Sequence, residues 1–231
     1  METKFMGIMM IDRFRKSGDG VTGEQFRSGL WPTLLLPLLL IFLNFSTQVQ
    51  TADDNSKTSV TIFPVYEKHF VSSEHPAGTE DTLGDQLGRD FIIMGFNQKG
   101  LPVAYENEGT RNEDWFSWRE KILAPIDGKV SGIRINETTN EPGEPGEPPA
   151  SNIVFEREDG VKVLYAHVRE IEVEEGDFVE AGDVVGRVGN NGVSFMPHIH
   201  VGAWKDEQPL QIQVDLEKMG EIMDPQYMSD Q

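Results

Sequence analysis

Apolar residues between positions 121 and 204 occur in short runs, and turn-forming residues separate each run from the next. Glycine, proline, asparagine and aspartate supply the breaks, as at Asp127-Gly128 and Asp159-Gly160. Short alternating runs predict β-strands, whereas helices need longer runs with a period near 3.6 residues. No long amphipathic helix is expected. The chain is therefore predicted to be all-β, with an antiparallel sheet or a partly open barrel.

Several individual strands and turns follow from the same pattern. Residues 90–94 read as a buried strand, and residues 71–86 as a loop. Residues 121–135 alternate around Asp127-Gly128, which predicts a hairpin. A second pair of strands is expected over residues 152–156 and 161–168, joined through the turn at 158–160.

Charge and cysteine content exclude some functions. The formal net charge is −19, and such a field repels nucleic acids and anionic membrane surfaces. The chain has no cysteine, so disulfides, thiolate zinc ligands and a cysteine nucleophile are all excluded. No nucleic-acid partner is expected.

Residues 34–43 (LLLPLLLIFL) follow several basic residues and have the length of a signal-peptide core, short of the ~20 residues of a spanning helix. Residues 1–52 are therefore predicted to be a signal peptide or, if uncleaved, an N-terminal membrane segment at residues 30–45. Met6, Met9 or Met10 are alternative starts. The rest of the chain is expected in the periplasm, the cell envelope or the extracellular space.

The remaining chain divides by composition. Residues 53–60 are polar and are predicted to be a flexible linker, followed by one domain over residues 61–210. Within it, 95–120 is a long insertion, and the Pro/Gly/Glu-rich 139–151 is expected to project as an unpacked loop. Residues 211–231 are predicted to be a C-terminal tail.

Two histidines, His198 and His200, lie two positions apart in a β-prone stretch. They are two of only five histidines in the chain. Alternate residues of a strand face the same way, so both side chains are expected in one site. His167 and Asp90 are the other candidates for metal or acid–base chemistry. Purely structural explanations remain open at this point. His198 and His200 could line a polar cleft without metal, His167 could be a packed core histidine, and Asp90 could be a turn carboxylate.

Five motifs occur in a fixed order over residues 86–204: the segment 123–130 (LAPIDGKV), Tyr165-Ala166-His167, the Gly/Asp-containing 173–186, Gly189-Asn190-Asn191-Gly192, and Pro197-His198-Ile199-His200. Their succession resembles the lysostaphin/LytM-type zinc metallopeptidases, which are peptidoglycan endopeptidases. The resemblance implies the lysostaphin-like all-β fold and one catalytic Zn²⁺.

The resemblance also implies roles for individual residues. Asp90 and His200 correspond to zinc ligands, and His167 and His198 to the pair of histidines that flank the attacking water. Three protein ligands would leave the fourth zinc position for that water, whose pKa then falls to about 7.

One residue departs from the family pattern. The motif that ends at Asp90 reads Gln86-Leu87-Gly88-Arg89-Asp90, so Gln86 stands where the family has a third ligand histidine. An amide oxygen is a weaker zinc donor than an imidazole nitrogen. Three interpretations stay open: Gln86 is a weak ligand, His75 replaces the missing histidine, or the site is degenerate.

The sequence thus predicts an exported zinc endopeptidase that cuts peptide bonds in bacterial peptidoglycan. The alternative is a catalytically degenerate member that binds wall peptide or regulates a partner hydrolase. A third interpretation is a lipoyl/biotinyl-like hybrid barrel, which the repeat around Gly176-Asp177 also resembles. No Met-Lys-Met carrier motif is present, however, and that fold gives the histidines no role.

Overall fold

The computed structural model describes residues 59–76, 78 and 82–223. These residues form short strands, one 3-10 turn and one α-helix. The predicted leader 1–52 and linker residues 53–58 lie outside the described residues. In the described part, no helix is long and apolar enough to cross a membrane. The element bounds are β1 Ser59–Ile62, β2 Phe70–Glu74, β3 Arg89–Ile93, β4 Gly95–Phe96, β5 Pro102–Val103, the 3-10 turn Asn112–Asp114, β6 Lys121–Leu123, β7 Gly128–Arg134, β8 Asn152–Glu156, β9 Lys162–Ala166, β10 Val168–Arg169, β11 Phe178–Val179, β12 Val184–Val188, β13 Ile199–Lys205, β14 Gln208–Pro209, β15 Gln211–Val214 and α1 Leu216–Met223.

The largest sheet has the strand order β11-β7-β8-β9-β13-β3-β2, and β14 pairs with β13 beside it. Every pair in this sheet is antiparallel. β8 and β9 form the hairpin predicted from the sequence, with Gly160 at a φ of 85° in its turn. The end strands β11 and β2 do not pair with each other, so the sheet is open. The predicted all-β antiparallel class is confirmed.

A smaller antiparallel sheet has the order β10-β12-β6. Its buried apolar residues and those of the large sheet belong to one hydrophobic cluster. A single core therefore joins the two sheets. Its members include Ile122, Val185 and Val188 from the small sheet and Val130, Tyr165 and Val201 from the large one.

The hairpin predicted for residues 121–135 is wrong. β6 pairs with β12, whereas β7 pairs with β8 and β11, so the two strands belong to different sheets. Pro125 lies between them; its nitrogen has no hydrogen to donate, and its carbonyl accepts a hydrogen bond from the Phe63 N–H at 2.7 Å. The segment therefore crosses from one sheet to the other instead of folding back.

Residues 211–214, which the sequence places in a tail, form β15. This strand pairs in parallel with β1 along its whole length, and Ile212 is fully buried. β1 begins at Ser59, within the predicted linker. Asp215 then accepts hydrogen bonds at the start of α1 from the N–H groups of Glu217 and Lys218. The domain thus extends beyond both ends of the predicted range 61–210.

The predicted loop 71–86 begins as a strand. β2 pairs with β3 over its full length, yet four of its five residues are exposed. A polar, exposed edge strand has no buried face, so it leaves no alternating pattern in the sequence. β3 matches the strand predicted for residues 90–94.

The 139–151 segment is irregular, as predicted, but it does not project unpacked. Asn140 is buried, and its side-chain NH₂ donates to the carbonyls of Gly192 and Ser194 at 2.8 and 2.9 Å. The N–H of Gly146 also donates to Gly192, and the N–H of Ser151 donates to Oδ1 of Asn191. The segment therefore packs along residues 189–196, because its main-chain donors find acceptors there.

Candidate active site

β13 lies between β3 and β9, and His200 on β13 is paired with a residue on each side. It is opposite Asp90 of β3 and opposite Ala166 of β9. His167 follows Ala166 directly, and His198 lies one residue before β13. The strand register therefore brings together four predicted site residues, two of which are 110 positions apart in the sequence.

The Asp90 carboxylate is surrounded by three imidazoles. Oδ1 is 2.9 Å from Nδ1 of His200 and 3.5 Å from Nε2 of His198. Oδ2 is 3.3 Å from Nε2 of His75. Burial disfavours the charged carboxylate, but hydrogen bonds to His198 and His200 outweigh burial and hold the pKa of Asp90 well below its usual range. Asp90 is therefore negatively charged, and its carboxylate oxygens contact three imidazole rings.

His200 is held from its opposite side by a main-chain carbonyl. Its Nε2 is 2.9 Å from the Gly84 oxygen, so Nε2 carries a proton and donates it, and Nδ1 is the nitrogen that faces Asp90. Burial lowers the pKa of His200, but the hydrogen bonds to Asp90 and Gly84 raise it above its usual value. A ring bonded in this way has a fixed orientation.

Two glycines allow this close approach. A Cβ on Gly202 would overlap the Gly84 carbonyl, and a Cβ on Gly88 would lie 2.8 Å from Cε1 of His200. Sequence reasoning missed Gly84 and Gly202. A glycine inside the apolar strand 199–205 was the available signal, because such glycines mark a close backbone contact.

His167 adopts a φ of 65°, which is uncommon for a residue with a side chain. Its Nδ1 donates to the Asn191 carbonyl at 2.8 Å, which leaves Nε2 free. The ring centroid is 4.7 Å from that of His198. Burial, followed by the proximity of His198, lowers the pKa of His167 to about 3. The ring is therefore neutral at neutral pH.

His198 is oriented in the same way. Its Nδ1 is 2.8 Å from the Met196 carbonyl, and Oγ of Ser194 is 3.4 Å from the same nitrogen. Donation to Met196 leaves Nε2 on the side of Asp90. His167 and His198 thus both use Nδ1 for a carbonyl of the 189–196 segment and keep Nε2 for other partners.

Gln86 lies in the turn over residues 82–87, and its main-chain N–H donates to the Thr82 carbonyl at 3.0 Å. Among the hydrogen bonds of residues 82–223, none joins its amide side chain to Asp90 or His200. Its predicted role as a metal ligand stays a prediction.

His75, Asp90 and His200 each offer one ligand atom, and these atoms all lie within 4.8 Å of one another. Imidazole nitrogens and carboxylate oxygens are ordinary zinc ligands, and ligand atoms around one tetrahedral zinc are about 3.3 Å apart. Nδ1 of His200 and Oδ1 of Asp90 lie 2.9 Å apart, a contact that either a proton on Nδ1 or a cation bound to both atoms satisfies. The residues present therefore fit a zinc ion.

Comparison with known proteins links part of the chain to one family. Residues 115–212 match the family model described as Peptidase family M23. The matched range contains His167, His198 and His200, and it begins after His75 and Asp90. No curated protein matches the sequence.

Three solved structures illustrate the similarity. A zinc-containing peptidase from Vibrio cholerae is 18% identical with a TM-score of 0.40; the match covers 66% of this chain but only 39% of that one. The M23 metalloprotease Pseudoalterin from the deep sea is 18% identical, with a TM-score of 0.41 and coverage of 65% and 74%. The catalytic domain of lysostaphin from Staphylococcus simulans is 21% identical, with a TM-score of 0.37 and coverage of 61% and 86%.

The match of residues 115–212 to the model of peptidase family M23 confirms the resemblance to these metallopeptidases that the order of the motifs predicts.

Proposed function

We propose that this protein is an exported, zinc-dependent endopeptidase that hydrolyses peptide bonds in bacterial cell-wall peptidoglycan. The observation that carries the proposal is the convergence of Asp90, His167, His198 and His200 on one site in an M23 domain. The substrate class rests on the family, and export rests on the apolar segment 34–43.

Asp90 and His200 are two of the residues that would hold the zinc ion. A bound zinc ion supplies Lewis acidity that activates water and polarises a scissile carbonyl. His167 is neutral, and its Nε2 is free to take a proton from the attacking water. The proton that His167 takes would then pass to the leaving amine, while Nε2 of His198 would stabilise the oxyanion that forms at the scissile carbonyl. The two main-chain carbonyls at Asn191 and Met196 keep both rings in place during this transfer.

A second candidate function is binding without cleavage. Gln86 stands at the position where the family has a ligand histidine, and this observation favours a degenerate site. Such a protein would bind wall peptide in the same cleft or regulate a partner hydrolase.

The test is incubation of the purified full-length chain with isolated peptidoglycan, followed by chromatography of the released fragments and detection of new amino termini. We expect cleavage by the wild type and a loss of about 10²–10⁴-fold in rate for His167→Ala, since general acid–base groups contribute that much. Zinc content should stay unchanged in this variant, because His167 is not a proposed ligand. His69→Ala is the matched control, since His69 is exposed.

A wild-type chain that retains zinc and sediments with peptidoglycan, but releases no new amino termini, would contradict the endopeptidase proposal and support the binding function instead.

A further inference from the structure

We propose that His75, supplied by the end of strand β2, is the third zinc ligand of this protein, in place of the residue at position 86. The inference rests on the proposed function in one respect, namely that the site binds zinc. It concerns which side chain completes the site. If His75 is the third ligand, Gln86 marks a ligand that has moved to another position in the sequence and not one that has been lost.

The strand pairing puts His75 beside Asp90. Ser73 on β2 is directly opposite Asp90 on β3, and His75 is two residues further along. Alternate residues of an extended chain face the same side, so His75 projects on the side of Ser73 and Asp90. The N–H of His75 donates to the Gly88 carbonyl at 2.8 Å, which continues the pairing past the end of β2. The backbone therefore fixes the position of this ring.

The ligand atoms of His75, Asp90 and His200 lie within 4.8 Å of one another, close enough for one ion to draw them together. Nε2 of His75 is 3.3 Å from Oδ2 of Asp90, and Nδ1 of His200 is 2.9 Å from Oδ1. The His75 and His200 rings are close, with centroids 4.9 Å apart. Separations near 3.3 Å are expected for ligands of one tetrahedral zinc. Each ring uses a different carboxylate oxygen, so Asp90 lies between two nitrogen donors.

The orientation of each ring agrees with this role. His200 gives its Nε2 proton to Gly84, and Asp85 Oδ1 lies 3.3 Å from the same nitrogen. Such outer partners are usual for a metal-bound histidine, because they fix the tautomer and leave the other nitrogen for the metal. In His75, Nδ1 is buried and has no hydrogen-bond partner, so Nε2 is the ring nitrogen with a polar neighbour. That neighbour is Asp90.

Gln86 does not show the same features. It lies in the 82–87 turn, four residues before Asp90, and its amide makes no hydrogen bond to Asp90 or His200 within residues 82–223. An amide oxygen is also a weaker donor to zinc than imidazole. With His75 the site has two imidazoles and one carboxylate, a composition found in catalytic zinc sites.

The experiment compares zinc binding by the full-length wild type, His75→Ala, Gln86→Ala and His69→Ala. Zinc per chain is measured by elemental analysis after dialysis, and affinity is measured by competition with a chromophoric chelator. We expect near one zinc in the wild type, Gln86→Ala and His69→Ala, and a drop in affinity of more than about 100-fold in His75→Ala. Even outer-shell partners of a zinc ligand change affinity by about 10–100-fold, so loss of a ligand should exceed that.

A rescue variant distinguishes loss of a ligand from loss of the fold. Gln86→His in the His75→Ala background puts an imidazole back at position 86, and we expect it to restore part of the lost affinity. Far-ultraviolet circular dichroism of all variants is recorded beside the zinc measurement. Visible absorption of the Co²⁺-substituted proteins gives an independent readout, because removal of an imidazole ligand changes the spectrum.

Two results would overturn the inference, and they are distinguishable. If the wild type binds zinc, His75→Ala retains it and Gln86→Ala loses it, then Gln86 is the ligand, while the proposed function stands. If the folded wild type binds no zinc, then the zinc-dependent function fails together with the inference.

Discussion

His167 and His198 each bond to a main-chain carbonyl and not to each other, whereas the Asp90 carboxylate lies between the rings of His75 and His200. The side chains of His198 and His200 are 7% and 5% exposed, whereas those of His75 and Asp90 are 25% and 23% exposed. One half of the site thus consists of two separately oriented rings, and in the other half a carboxylate joins two rings.

This difference indicates what a bound cation would do in each half. Carbonyl acceptors satisfy Nδ1 of His167 and His198 with or without a metal. In the other half, the Asp90 carboxylate lies against one nitrogen of His75 and one of His200, and these are the kinds of atom that bind zinc. We therefore expect zinc to stabilise the half formed by His75, Asp90 and His200, and the other half to be formed beforehand.

The largest expected effect comes from Asp90→Ala, which removes the carboxylate between the rings. Zinc affinity should fall by more than about 100-fold, since a direct ligand is lost. Zinc at 100 times the wild-type dissociation constant should raise the free energy of unfolding of the wild type by about 2.7 kcal/mol and that of the variant by no more than about 0.4 kcal/mol. Urea denaturation with and without zinc measures this difference.

Asp159→Ala is the matched control for that experiment, because Asp159 is a half-exposed carboxylate that pairs with Arg157. Equal stabilisation of wild type and Asp90→Ala by zinc would show that the two halves of the site do not differ as described.

A smaller effect on zinc affinity is expected where Gly202 contacts Gly84. In Gly202→Ala, the new Cβ overlaps the Gly84 carbonyl, so the 82–87 turn must move away from β13. We expect a loss of about 3 kcal/mol in the free energy of unfolding, at the upper end for overpacking, together with weaker zinc binding because His200 loses its acceptor.

Gly132→Ala serves as the comparison for this variant. Its Cβ would meet only Val154, at 4.0 Å, which is ordinary contact. A Gly202→Ala protein with the stability and zinc affinity of Gly132→Ala would be inconsistent with the role of Gly84.

The smallest effect is predicted on the other half, through the 139–151 segment. Asn140→Ala removes two buried hydrogen bonds to residues 192 and 194, at a cost of about 1–2 kcal/mol. Peptidase activity should fall by less than about tenfold, since the 189–196 carbonyls would shift relative to His167 and His198. Zinc affinity should not change. The measurement is the cleavage rate beside zinc content, with the exposed Asn97→Ala as the control.

A decrease in zinc affinity equal to that in activity would mean that the two halves of the site are not held independently.

Much of the fold could be predicted because the signals are local. Alternation of buried residues such as Ile153 and Phe155 predicted the β8–β9 hairpin, and the apolar run at residues 90–94 predicted β3. The hairpin predicted at Asp127-Gly128 was wrong although its turn signal is equally local. A turn signal does not reveal which strands β6 and β7 will pair with, since that depends on hydrogen bonds to distant segments.

In the candidate site, too, local motifs were predictable and contacts between distant segments were not. The order of the motifs was enough to select Asp90, His167, His198 and His200, and the structure brings these four together. The polar strand β2 leaves no periodic signal, so the proximity of His75 to Asp90 was left open.

The sequence by itself determined the strand-forming pattern, the family motifs and the absence of histidine at position 86. Only the tertiary structure decided that β2 pairs with β3 and that residues 139–151 pack along the 189–196 segment. It also decided that the Gly84 carbonyl lies close to Gly202 and contacts the His200 ring. The physical reason is that period and turn chemistry act between neighbouring residues. Strand register and glycine contacts instead join residues far apart in the chain, and their free energy depends on both partners being in place.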